Sequence, residues 1–125
     1  MEKLKQNQKT ENKAMTLAIK YEKSMGRNPK NTTKKGIGYD LKSGNRLIEV
    51  KGFCNERYPV ISLYKRLKDQ LGKKIDKYYI YVIYDIDNSP KLKILTPSTI
   101  KKNLEEDLRY IVRGKVYRPI KEIKL

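Results

Sequence analysis

A chain of 125 residues with 30 Lys and Arg against 14 Asp and Glu carries a net charge of +16, has the length of one domain, and builds a field that attracts polyanions. Histidine is absent and Cys54 is the only cysteine, which removes Ser–His and Cys–His catalysis, histidine metal centres, zinc knuckles and a disulfide framework together. No run approaches the ~20 apolar residues of a membrane span and no signal peptide opens the chain, so a cytoplasmic protein of a prokaryotic or viral host, with no membrane partner, is expected.

Residues 1–10 are polar and lysine-rich and are expected to form a flexible basic N-terminus. From Asn12 to Met25 the spacing becomes helical, with Ala14, Met15, Ala18, Ile19, Glu22 and Met25 on one face and Gly26 and Pro29 ending the run. Glu22 is the anomaly, a carboxylate in line with an apolar stripe. It is either a boundary residue paired with a nearby base or a third acid contributed to a site elsewhere. Arg27, Lys30, Lys34 and Lys35 then make a basic loop suited to a phosphate backbone.

Ile37 to Leu41 and Leu47 to Lys51 both alternate around Gly44-Asn45, a pair fit for a two-residue hairpin loop. That loop pairs Ser43 with Arg46, Leu41 with Ile48, and Asp40 with Glu49, whose Cβ atoms would stand roughly 4.5–5.5 Å apart. Lys51 falls on the side of Glu49, opposite Gly38, which leaves room beside the lysine. Tyr39, Leu41, Ile48 and Val50 make an apolar reverse face.

Like charges directly opposed destabilise a sheet unless a cation lies between them. A hard divalent ion takes oxygen ligands, typically one or two carboxylates with waters and phosphate oxygens. Asp40 and Glu49 are therefore expected to hold Mg²⁺, with Mn²⁺ as a substitute, and Lys51 to position the attacking water or neutralise the phosphorane. The plainer reading is a solvated hairpin with a surface Asp–Glu–Lys cluster.

Ser62 caps an expected helix through Leu71, whose outer face carries Lys65 and Arg66; this is a phosphate stripe or an ordinary solvated face. Tyr78 to Tyr84 is the strongest strand, and its tyrosines read as sheet packing before base stacking. Asp85 to Pro90 is a turn without an EF-hand pattern, and Leu92 to Leu95 another strand. Thr96-Pro97-Ser98 opens a helix with Ile100, Leu104, Leu108 and Ile111 as its stripe and Gly114 as its end; a short basic extension follows. The order of elements gives an α/β fold, a mixed central sheet flanked by helices.

Glu22 on the first helix, Asp40 at a strand end and Glu49-Val50-Lys51 on the next strand resemble the PD-(D/E)XK nuclease superfamily, with its restriction-endonuclease-like fold. More narrowly, Tyr21-Glu22, Gly26-Arg27, Gly38-Tyr39-Asp40, Ile48 to Gly52, Ile61-Ser62 and Tyr78 to Val82 are similar to the C-terminal domain of NO VEIN-type proteins. The helix-one glutamate also has some likeness to archaeal-type Holliday junction resolvases. The resemblance implies a Mg²⁺-dependent DNA endonuclease, restriction-like or junction-resolving and acting as a homodimer. Asp40 and Glu49 would be metal ligands, Lys51 the catalytic lysine, and Glu22 an auxiliary ligand or water-orienting group. Ser62 would either cap its helix or touch substrate. NO VEIN-type domains tend to carry an acid in the helix after Ile61-Ser62; here Leu63 to Leu71 holds basic residues together with Asp69 and Gln70. Two other classes stay open on sequence alone: a non-catalytic DNA- or RNA-binding module of the same fold, and a basic interaction domain.

Overall fold

A computed structural model describes residues 2–35, 38–55, 59–62, 71–106, 111–112 and 114–125. The first helix, α1 (Glu2–Ser24), is followed by the strands β1 (Pro29–Asn31), β2 (Leu41–Ser43), β3 (Arg46–Gly52) and β4 (Ile61–Ser62). A 3-10 segment (Gly72–Lys77) leads into β5 (Tyr78–Tyr84) and β6 (Lys91–Leu95). Then come α2 (Pro97–Glu106), β7 (Ile111–Val112), α3 (Gly114–Tyr117) and β8 (Ile123–Lys124). Among the described residues, six strands form one sheet in the order β1-β2-β3-β5-β6-β8, and β4 pairs with β7 in a second, two-stranded sheet. The fold is α/β, with a mixed sheet flanked by helices.

Only β3 and β5 run parallel within the large sheet; β5, aromatic and β-branched throughout, is central and almost wholly buried. Alternation along β3 and β5 sorts the core into two layers. Leu41, Ile48, Tyr81 and Ile83 face α1, where Ala14 and Ala18 are fully buried. Leu47, Ile80, Val82 and Leu95 face the other way, against Ile100 and Leu104 of α2 and Tyr117 of α3. The helix comes close because of Gly52: a Cβ there would lie 2.6 Å from the Ala14 Cβ and 3.2 Å from the Thr10 carbonyl.

The hairpin pairs as expected, Ser43 with Arg46 and Leu41 with Ile48, with Gly44 supplying the left-handed position at φ +57°. Several expectations are corrected. The helix of α1 starts at Glu2, so residues 2–10 continue it, and Met25 is exposed beyond its end. Gly38 has φ +90° and lies outside β2, so it does not pair with Lys51. Tyr39 packs in the layer opposite Leu41 and Ile48, because the chain leaves strand geometry before Leu41 and Thr32 ties down the Tyr39 carbonyl. Ile111 is in a strand rather than at the end of a helix, and Gly114 opens a helical turn instead of closing one. Tyr117, expected in a basic extension, is buried and donates from its hydroxyl to the Pro59 carbonyl at 2.6 Å. The helix expected between Ser62 and Leu71 falls on residues 63–70, which lie outside the described residues, as does Leu108.

Candidate active site

Pairing of β2 with β3 stops at Leu41, while β3 continues to Gly52 against β5. The fork this leaves is where Asp40 and Glu49 meet. Asp40 is held from both sides: its own N–H donates to the Ile48 carbonyl at 2.8 Å, and its carbonyl accepts from the Thr32 N–H at 2.8 Å. Beyond the fork the Val50 N–H would lose its strand partner, and the Asp40 carboxylate replaces it, accepting that N–H at Oδ2 over 2.8 Å. One carboxylate oxygen of Asp40 thus finishes the ladder and the other is left for different work.

Glu49 lies beside Asp40, with Tyr78 of the adjacent strand also near it. Burial, followed by the hydrogen bond and negative charge of Asp40, pushes the Glu49 carboxyl up to about 8, against the smaller pull of Lys51 and Tyr78. Two carboxyl groups set side by side, each opposing the other's charge, form a site that a divalent cation would fit, since it can satisfy both. Among the described residues no third Asp, Glu, Cys or His completes a compact metal cluster. An ion held by Asp40 and Glu49 would take its other ligands from water and from phosphate oxygens.

Asp40, Glu49 and Lys51 line one cleft of about 810 Å³, between the N-terminal half of α1 and the C-terminal end of β3. Those three expected residues come together. Glu22 does not join them, and this corrects the expectation of a third ligand from that position. It is fully buried, and both of its oxygens are occupied: Arg27 donates from Nε to Oε1 at 2.6 Å and from Nη2 to Oε2 at 2.7 Å, and the Tyr81 hydroxyl donates to Oε2 at 2.8 Å. Burial alone would raise the Glu22 carboxyl; hydrogen bonds from Arg27 and Tyr81 hold it below the usual carboxylate range. Arg27 is correspondingly committed to Glu22 and not turned to a phosphate backbone. Tyr81 also accepts from Arg46 Nη1 at 2.8 Å, and the Arg46 guanidinium lies 4.4 Å from the centre of the Tyr79 ring.

The acid that α1 does bring to the cleft is Glu11. Its signal was present in the sequence: it lies three and four residues before Ala14 and Met15, and so extends their stripe backwards. Lys30, on β1, and Lys34, on a 3-10 turn (Thr33–Lys35), are exposed. The side chains of Lys35 and Ser62, and residues Lys65 and Arg66, lie outside the described residues.

The family described as Protein NO VEIN, C-terminal, matches the chain over residues 10–95, which takes in α1 from Thr10 onward, the fork, β5 and β6. The chain belongs to this family. No curated protein and no solved structure matches it. In this NO VEIN C-terminal domain the matched region ends at Leu95, so the three catalytic candidates, the Glu22–Arg27 pair and Glu11 all belong to the family segment, while α2 and the strands after it lie beyond.

Proposed function

We propose that this NO VEIN C-terminal domain is a Mg²⁺-dependent nuclease of the PD-(D/E)XK type that hydrolyses DNA phosphodiester bonds. The observation that carries the reading is the pairing of Asp40 with Glu49 at the open end of β3, with Lys51 two residues on, inside a cleft. When bound, Mg²⁺ would polarise the scissile phosphate and lower the pKa of an attacking water. Asp40, anchored through Oδ2 to the Val50 N–H, holds its second oxygen in a fixed place for the ion. Glu49 must give up its proton to serve as a ligand, so the site favours an ion over a proton as pH rises. Lys51 lies on the same side of β3 as Glu49, where its ammonium can orient the water and offset charge as the water oxygen attacks phosphorus and the ester oxygen departs. The +16 charge of the chain supports DNA as the polyanion drawn in.

The test is cleavage of labelled single-stranded, duplex and four-way-junction DNA in Mg²⁺ or Mn²⁺ against EDTA, with Lys51→Ala and Asp40→Asn beside the wild type. Metal-dependent cutting is expected, lost in both variants while DNA binding persists. Asp40→Asn retains an acceptor for the Val50 N–H, so its melting temperature should stay near that of the wild type. Salt-sensitive binding with no cutting in either metal would identify a non-catalytic nucleic-acid-binding module instead.

A further inference from the structure

The walls of the cleft differ from what an outward-facing duplex backbone needs. Among the described residues that line it, Lys51 is the cation, in a chain that holds 30 Lys and Arg. Beside the Glu11 carboxylate, the α1 wall presents amides one helical turn apart: Gln8 donates from Nε2 to Asn12 Oδ1 at 3.1 Å, and both side chains are exposed on the cleft. This pair retains donors and acceptors side by side, the pattern that base edges match. Met15 and Ile19 of α1 and Phe53 after β3 supply apolar surface, and Val60 sits at the rim 60% exposed. Amide groups set over apolar surface suit a flat heterocycle with polar edges better than a row of phosphates.

Size points the same way. A volume of about 810 Å³ falls within the ~300–1,000 Å³ typical of sites that engulf a small molecule. It is room for a nucleotide or two. A duplex keeps its bases stacked inside, and an enzyme that must reach them takes single strand or extrudes a nucleotide.

We infer that the cleft takes an unpaired nucleotide, so that the substrate is a single strand, a flap or a frayed end rather than intact duplex. Met15, Ile19 and Phe53 receive the base, Gln8 and Asn12 contact its edge, and the adjoining phosphate lies beside Lys51, reaching Asp40 and Glu49 only through an ion when one is bound. The inference rests on the nuclease reading for the placing of that phosphate alone.

The experiment uses a DNA strand with one 2-aminopurine, alone or annealed to its complement. The full chain is titrated in EDTA at about 0.2 M salt, where sequence-independent phosphate attraction is weakened. The single strand is expected to bind about tenfold more tightly than the duplex, with a change in 2-aminopurine emission. The variant Gln8→Ala/Asn12→Ala, both positions exposed on a helix, is expected to fold as the wild type does and to lose that preference and the emission change. Equal affinity for the two forms, or a variant indistinguishable from the wild type, overturns the inference. Because EDTA prevents metal-dependent chemistry, this outcome is independent of cutting. Single-strand binding of this kind in a protein that never cuts in Mg²⁺ keeps the inference and removes the nuclease. Metal-dependent cutting with no single-strand preference does the reverse.

Discussion

Replacing Arg27 with alanine would leave a buried carboxylate with no cation beside it. Glu22 is fully buried and takes two hydrogen bonds from Arg27, at 2.6 and 2.7 Å, and one from Tyr81. Removing one partner of a buried pair costs about 3–5 kcal/mol, because the remaining charge is uncompensated. The Arg27 side chain is 22% exposed, so water can follow it in, which favours the lower end, about 3 kcal/mol. Unfolding entropy of ~2.1 cal/mol/K per residue turns that into a fall in Tm of roughly 11 °C for this chain of 125 residues. The pH dependence gives a second reading. In the wild type the lowered Glu22 carboxyl contributes stability that is present above the unfolded value of about 4.5 and lost as pH falls through the folded value. In Arg27→Ala burial dominates and the shift reverses, so this variant should become more stable as pH falls from 7 towards 5. Adding Glu22→Gln removes the stranded charge and should recover part of the loss. The assay is thermal and urea unfolding followed by circular dichroism at both pH values. A loss below about 1 kcal/mol, or one independent of pH, would refute the account of Glu22 as a structural acid.

The other predictions concern the fork and the helix packed on it. Without metal, the raised Glu49 carboxyl contributes stability that is present below the unfolded value of about 4.5 and lost as pH rises through about 8. Mg²⁺ should therefore raise Tm more at pH 8 than at pH 6, by scanning fluorimetry, and Glu49→Gln should remove both the pH trend and the response to metal. Gly52→Ala sets a methyl 2.6 Å from the Ala14 Cβ and should cost about 1–3 kcal/mol in urea unfolding, since α1 must move off the sheet.

Legibility in the sequence followed the range of the forces involved. The β2–β3 register was readable because a two-residue loop fixes every pair along the ladder, from Ser43–Arg46 to Leu41–Ile48. The β5 strand was readable from its side chains alone. Of the two readings of Glu22, pairing with a nearby base is the one found, and the third-acid role that the resemblance implied is not. Its partner, Arg27, lies only five residues away but beyond the helix end, where the turn at Gly26 brings the guanidinium back. Ile111 was read as helical because its spacing from Ile100 and Leu104 is helical. Its pairing with Ser62 joins segments far apart in the chain, and no local pattern announces that. Glu11 was passed over because it sits one residue ahead of Asn12, where the helical spacing was judged to begin.

Two acids of this fold, the fully buried Glu22 and the half-buried Glu49, are treated in opposite ways by their surroundings. Each sits where burial opposes its charge, yet the chain answers the two differently. At Glu22 it supplies a bidentate guanidinium and a phenol, so the carboxylate is satisfied without help and its pKa falls. At Glu49 it supplies a second carboxylate, and Lys51 and Tyr78 do not outweigh it, so the pKa rises. A fold that wanted only stability could place an apolar residue at Glu49, on a strand whose flanking Ile48 and Leu47 are already buried. Keeping two acids side by side at a strand end instead sacrifices stability in the absence of a cation, and that local conflict is the one the proposed cation site would resolve.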